Sequence, residues 1–206
     1  LDLIQNSEKP ISTAWKLSYD LLLLEDKVLK LIEIIEDHEN LFINHNKFHN
    51  HFHLAEVVWA SSFLAKHETI KHNYFDYLVI LLLAATFHDA DHRGMSNKTP
   101  FEQEKISLEF FMEWWRNNSL FVENILTTTH DNIEKSISFL ILNTDFEEGH
   151  LAVNTLYSNS KFELVYDINL YMLAKILNEA DMLLNVLPNT GYNKINLILE
   201  EAGRNL

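Results

Sequence analysis

His88 and Asp89 stand side by side at the end of an apolar run, Tyr77–Phe87, and Ala90, Asp91, His92, Arg93 and Gly94 follow them. An ionised carboxylate buried at such a place is costly unless it is paired, protonated or bound to a cation. No Lys or Arg lies between Lys71 and Asp89. The nearest partners are the imidazoles of His88 and His92, side chains that bind metals in their neutral form. A metal site is therefore the first expectation.

A second His-rich stretch, Phe48-His49-Asn50-His51-Phe52-His53, heads another apolar pattern. If it is helical from its start, His49 and His53 are i and i+4, about 5–6 Å apart on one face. That stripe continues through Val57, Ala60 and Leu64 towards the core. His88 and His92 repeat the spacing. Far downstream, Asp181 sits beside Leu177 and Leu184 on the apolar face of a long helical pattern. Two His and two Asp drawn from these segments to one point would suit Zn, Mn, Fe or Mg. Asp89 or Asp181 would be able to bridge two ions.

The elements that must position these groups read as helices throughout. Trp15–Glu36 carries Leu and Ile at spacings of three and four, and Leu54–Lys66 follows the first His cluster. Tyr74–His88 is apolar all round, the mark of a buried helix. Ala90–Lys98 reads as a loop. Thr99-Pro100-Phe101-Glu102 reads as a helix start, with Thr99 as N-cap, and the helix runs towards Asn117. Further helices are expected at Leu120–Thr129, Asn132–Asn143, Leu151–Ser158, Leu164–Leu187 and Lys194–Ala202. The acidic run Glu33–Glu39 reads as a solvated face, and Phe110–Trp115 as core or interface packing. The expected fold is a single all-α, compact multi-helix bundle over 1–206.

Composition narrows the function. Four Gly and three Pro in 206 residues leave few turn signals, in line with an all-helical chain. The absence of Cys rules out disulfides, thiolate nucleophiles and Cys-ligated zinc. A formal charge of −14 with only three Arg argues against a nucleic-acid duplex as partner. A polyanionic substrate would have to be received by bound cations. No apolar run reaches the ~18 residues that a membrane span needs, so no membrane partner is expected. The default compartment is the reducing cytoplasm. The chain opens on Leu1 rather than Met, so a fragment or processed form is expected, with flanking domains possible.

The order His…His-Asp…Asp resembles the signature of the HD-superfamily metal-dependent phosphohydrolases. Within that group, Phe48-His49-Asn50 with His53 resembles the Tyr-His-Asn-x-x-His element of class I cyclic-nucleotide phosphodiesterases. His88, Asp89, His92, Gly94 and Asn97 match their His-Asp-x-x-His-x-Gly-x-x-Asn element. The resemblance covers about Phe48 to Leu187. It implies an HD-type fold and two divalent metal ions (Zn, Mg, Mn or Fe) on His53, His88, Asp89 and Asp181, with Asp89 bridging. It further implies His49 as the group that protonates the leaving oxygen, and His92 as its support. A bound divalent ion lowers the pKa of water from about 15.7 towards 7, and an imidazole near pKa 6.5 suits proton donation. The implied activity is metal-dependent hydrolysis of a phosphate ester, above all a cyclic nucleotide phosphodiester.

The sequence also departs from that pattern. Ala90 and Thr99 replace larger apolar residues, and the 25 residues after Asp181 contain no Gln to grip a purine. Shorter HD phosphohydrolases carry Glu-x-x-Ser and Thr-x-His, which Glu104–Ser107 and Thr128–His130 resemble. A phosphomonoesterase on the same site is one alternative. A di-iron oxygenase with His130 or His150 as an extra ligand is another, and a non-catalytic HD binding module is a third.

Overall fold

The computed structural model describes residues 1–43, 46–67, 74–145, 147, 149, 168–186 and 191–201. The side chains of Tyr74, His130, Leu184 and Tyr192 are not among them. Within these residues the chain is all-α, with no strand. Its helices are α1 (Asp2–Gln5), α2 (Pro10–Leu22), α3 (Leu29–Asp37), α4 (His51–His67) and α5 (Tyr74–Phe87). They continue as α6 (Glu102–Ile125), α7 (His130–Leu142), α8 (Ile168–Val186) and α9 (Gly191–Glu201). Two 3-10 turns, Asp26–Val28 and Glu39–Phe42, flank α3.

Helix α5 is the centre of the bundle. Leu78 to Ala85 and Phe87 are all buried, so the continuous apolar run is satisfied on every side by α4, α6, α7 and α8. Helix α4 packs on α2, α5 and α8. On α8 the buried Leu170, Leu173, Ala174, Leu177 and Ala180 recur at three and four residues, which turns one face inward. Polar ties fix the packing. Trp15 Nε1 donates to Thr86 Oγ1 at 2.9 Å, linking α2 to α5. The Asp76 carboxylate accepts from Thr127 N, Thr127 Oγ1 and Thr128 N at 2.5–3.2 Å, holding the start of α7 against α5. The aromatic run behaves as core packing, since Phe111, Trp114 and Trp115 are buried. No described helix is long and apolar enough to cross a membrane.

Several expected boundaries move. The pattern over Trp15–Glu36 is two helices, because Leu23 turns left-handed at φ 52° and the Leu24 N–H returns to the Tyr19 carbonyl. Tyr19 Oη donates to Asp26 across the same turn at 2.7 Å. The helix expected to begin at Thr99 begins at Glu102, with Phe101 left-handed at φ 61° as its boundary. It then runs unbroken to Ile125, where two helices were expected. Asn117 and Asn118, where the first of these was expected to end, donate to the carbonyls of Glu113 and Trp114. Glu39 is not on a solvated face. It is buried and accepts from the N–H groups of Ile11 and Ser12 at 2.6 and 2.9 Å, capping α2 from a distance. The segment 151–158 and residues 164–167, 187 and 202 lie outside the described residues.

Candidate metal centre

Helix α4 starts at Asn50, whose Oδ1 accepts from Phe52 N and His53 N at 3.0 and 3.3 Å. This side-chain cap places His53 in the first turn, pointing into the bundle. At the end of α5 the chain leaves the helix, with Ala90 N donating to Phe87 O and Asp91 left-handed at φ 60°. Asp tolerates that region better than most residues. His88 and Asp89 therefore project from the end of the buried helix towards α4 and α8. His88 Nδ1 donates to the Ala85 carbonyl at 2.8 Å, which leaves the Nε2 lone pair facing the same point. Asp181 reaches that point from α8, one turn beyond Leu177.

Four ligand-type atoms meet there, from His53, His88, Asp89 and Asp181. Nitrogen and oxygen alternate around them. His53 Nε2 is 3.0 Å from Asp181 Oδ1 and 3.4 Å from Asp89 Oδ2. His88 Nε2 is 3.3 Å from Asp89 Oδ2 and 3.8 Å from Asp181 Oδ1. Ligands bound tetrahedrally at about 2.0–2.2 Å stand about 3.3–3.6 Å apart, and the four edges bracket that spacing. Both imidazole Nε2 atoms are buried, yet neither completes a hydrogen bond. Buried polar atoms without partners are rare, and here they face two carboxylates. The four residues fit a divalent cation.

Electrostatics agree. Burial disfavours charge on all four groups, but their mutual attraction prevails. The carboxylates raise His53 and raise His88 strongly, while the imidazoles hold Asp89 and Asp181 well below the ordinary carboxylate range. The cluster is set up for anionic oxygen and for a positive charge shared among its members.

Beside it lies a second group, His49, His92 and Glu201. His49 precedes α4 rather than lying on it, so the expected one-turn helical pairing with His53 is not formed. The two rings still lie 5.8 Å apart. His92 likewise lies beyond α5, so it does not share a helical face with His88. Its ring instead stacks on His49 with centroids 3.8 Å apart and planes 22° apart. His49 Nε2 faces Asp89 Oδ2 at 3.8 Å, while its Nδ1 is bonded to Glu201 Oε1. The other oxygen of Glu201 accepts from Phe48 N and His49 N at 2.7 and 3.3 Å. These bonds to His49 hold the Glu201 carboxyl below its ordinary range, against the effect of burial. His92 Nδ1 accepts from Gly94 N at 2.9 Å, and burial presses its pKa down to about 4. Gly94 has φ +69°, and a Cβ there would stand 2.9 Å from Glu201 Cγ, so the close approach requires glycine.

A cleft of about 500 Å³ opens over Asp89, His49 and His92. Asn97, Glu104 and Asp145 lie along it. Asn97 Nδ2 donates to Glu104 Oε2 at 2.8 Å and to Asp145 Oδ2 at 3.0 Å, and Phe101 N donates to Asp145 at 2.9 Å. Burial pushes Glu104 up to about 7. Asp145 and Glu201 were not among the sequence candidates. The Glu104–Ser107 pair is split in role, since Glu104 borders the cleft while Ser107 is buried. The side chain of His130, and all of His150, lie outside the described residues.

No family model matches the chain, and no curated protein matches it. Solved structures do. The phosphodiesterase domain of the rhodopsin phosphodiesterase of the choanoflagellate Salpingoeca rosetta aligns with a TM-score of 0.72 at 20% identity, over 98% of this chain and 69% of that one. A structure of the phosphodiesterase domain of the rhodopsin–phosphodiesterase fusion protein from the same organism gives 0.69 at 20% identity, over 98% and 71%. The chain thus has the fold of a phosphodiesterase domain.

Proposed function

We propose that this chain hydrolyses a phosphodiester, with divalent cations held by His53, His88, Asp89 and Asp181 and a proton supplied by His49. The observation that carries the reading is the alternating ring of two imidazole nitrogens and two carboxylate oxygens, with His49 Nε2 beside it at 3.8 Å from Asp89. Two such cations, when bound, would activate water towards hydroxide and neutralise phosphate oxygens.

The remaining work falls to the chain. Asp89 would help to hold the cations, and its Oδ2 also faces His49 Nε2 at 3.8 Å. His49 is fastened at Nδ1 by Glu201, so Nε2 is the atom free to release a proton towards the cleft. That proton would go to the leaving alkoxide as its bond to phosphorus breaks. His92 stays neutral at pH 7, stacks on the donor ring and fixes its plane without adding a competing charge. The cleft volume suits a small molecule. A 3′,5′-cyclic nucleotide is the substrate proposed, in keeping with the HD-type motif order His53, His88-Asp89, Asp181.

The test is release of AMP from 3′,5′-cyclic AMP by purified protein with added Mn²⁺, with Asp89→Ala as the blank. Turnover above the blank is expected. A folded, Mn²⁺-loaded protein without turnover, or an active Asp89→Ala variant, would overturn the reading.

A further inference from the structure

Helix α9 brings Glu201 to His49, yet it buries little apolar surface of its own. Gly191 is its one fully buried described residue, and Ile195 and Leu197 are exposed. Beyond its packing on α8 and the bonds of Glu201 to Phe48 and His49, it is held by two lysine pairs. The Lys47–Glu200 pair, at 2.6 Å, is open to solvent and holds little. The other anchor is different. Lys194 Nζ pairs with Glu56 Oε2, and the two side chains are only 13% and 4% exposed. Gln5 Nε2 occupies the second Glu56 oxygen at 3.3 Å. Glu56 lies on α4 three residues beyond His53, and Lys194 lies seven residues before Glu201, two turns along one face of α9. Lys194 Nζ also rests 5.6 Å over the Phe48 ring, which itself touches His49 and His53. Lys194 borders a second cavity with Glu56 and Phe48 and does not line the cleft.

We propose that Lys194 is a positioning residue: its buried pair with Glu56 sets α9 at the height that puts the Glu201 carboxylate on His49 Nδ1. The inference rests on His49 being the proton donor. Removing one partner of a buried pair leaves an uncompensated charge, so Lys194→Met should free α9 rather than leave it in place. Glu201 would then drift from His49, and a misplacement of about 1 Å is enough to cost a hundredfold.

The test compares two diesters on Mn²⁺-loaded full chain. Cleavage of cyclic AMP to AMP expels the ribose 3′-alkoxide, which needs a proton; cleavage of bis(4-nitrophenyl) phosphate expels a stable 4-nitrophenolate, which does not. Lys194→Met is expected to lower kcat on cyclic AMP by about tenfold to a hundredfold with KM unchanged. Its rate on the nitrophenyl diester should stay within about twofold, and Lys194→Arg should restore most of the loss. In a Glu201→Gln background the same change should cost less than about twofold, because both act through one bond. Amide hydrogen exchange should rise at Phe48, His49 and along α9. If Lys194→Met does not fold, Glu56→Gln breaks the same charge pair and should give the same selective loss. Equal losses on both diesters, additive losses in the double variant, or unchanged exchange at Phe48 and His49 would each overturn the proposal. If the unaltered protein cleaves neither diester, the functional reading fails, and the exchange measurement alone decides whether Lys194 positions His49.

Discussion

Glu104→Gln should stabilise the metal-free protein at neutral pH and do nothing in acid. Glu104 is 8% exposed in the cleft wall, and burial lifts its pKa from an ordinary 4.5 to about 7. The folded chain therefore holds this proton more tightly than the unfolded chain. Between pH 4.5 and about 7 the native state carries more protons, so stability falls as pH rises through that window. At 1.36 kcal/mol per pH unit the loss accumulates to about 3 kcal/mol by pH 8. Gln keeps an oxygen to accept from Asn97 Nδ2 but has no proton to lose. Urea unfolding in EDTA, followed by Trp fluorescence, should show equal stability for both proteins near pH 4. The variant should gain steadily above that and lead by about 3 kcal/mol at pH 8. A constant offset at every pH, or a wild-type protein that gains on the variant as pH rises, would refute the reasoning.

Other perturbations have equally definite signs. Thr86→Val removes the acceptor of the buried Trp15 Nε1–H and should cost about 1–3 kcal/mol in urea unfolding. Asp76→Ala strips the acceptor shared by Thr127 and Thr128; a loss of about 3 kcal/mol is expected, with early exchange of the amides at the start of α7. His49→Gln should lower kcat by about 10²–10⁴ while elemental analysis finds the metal content unchanged.

The helices that carry the site were legible because their patterns are strong. Tyr74–Phe87 is apolar on all sides, and the 170, 173, 174, 177 spacing of α8 defines one inward face that also carries Asp181. The break at Leu23 was hidden, since four consecutive Leu residues continue a helical pattern, while the Leu24–Tyr19 and Tyr19–Asp26 bonds that close the turn form only in the fold. At Asn117 and Asn118 the opposite occurred: turn-forming residues were absorbed by donating to carbonyls one turn back.

The same division runs through the site. His53, His88, Asp89 and Asp181 stand out in sequence because ligand types at apolar helix borders need a reason to be there. Glu201 does not stand out. It follows Glu200 at the end of α9, and only the packing of α9 decides that one carboxylate pairs with Lys47 while its neighbour turns in to His49. Glu39 was hidden in the same way, as the member of an acidic run that caps α2. Asp145 was invisible for a related reason, since its role depends on Asn97 and Phe101 arriving from a distant loop.

Four side chains from α4, α8 and the end of α5 are proposed to form a metal centre. Calorimetric titration of EDTA-stripped protein with Mn²⁺ or Zn²⁺ tests it most directly, against His88→Ala and Asp181→Ala variants shown to be folded. Saturable binding by the unaltered chain, abolished in both variants, is the expected result. Binding that survives loss of either ligand, or no binding at all, would contradict the account.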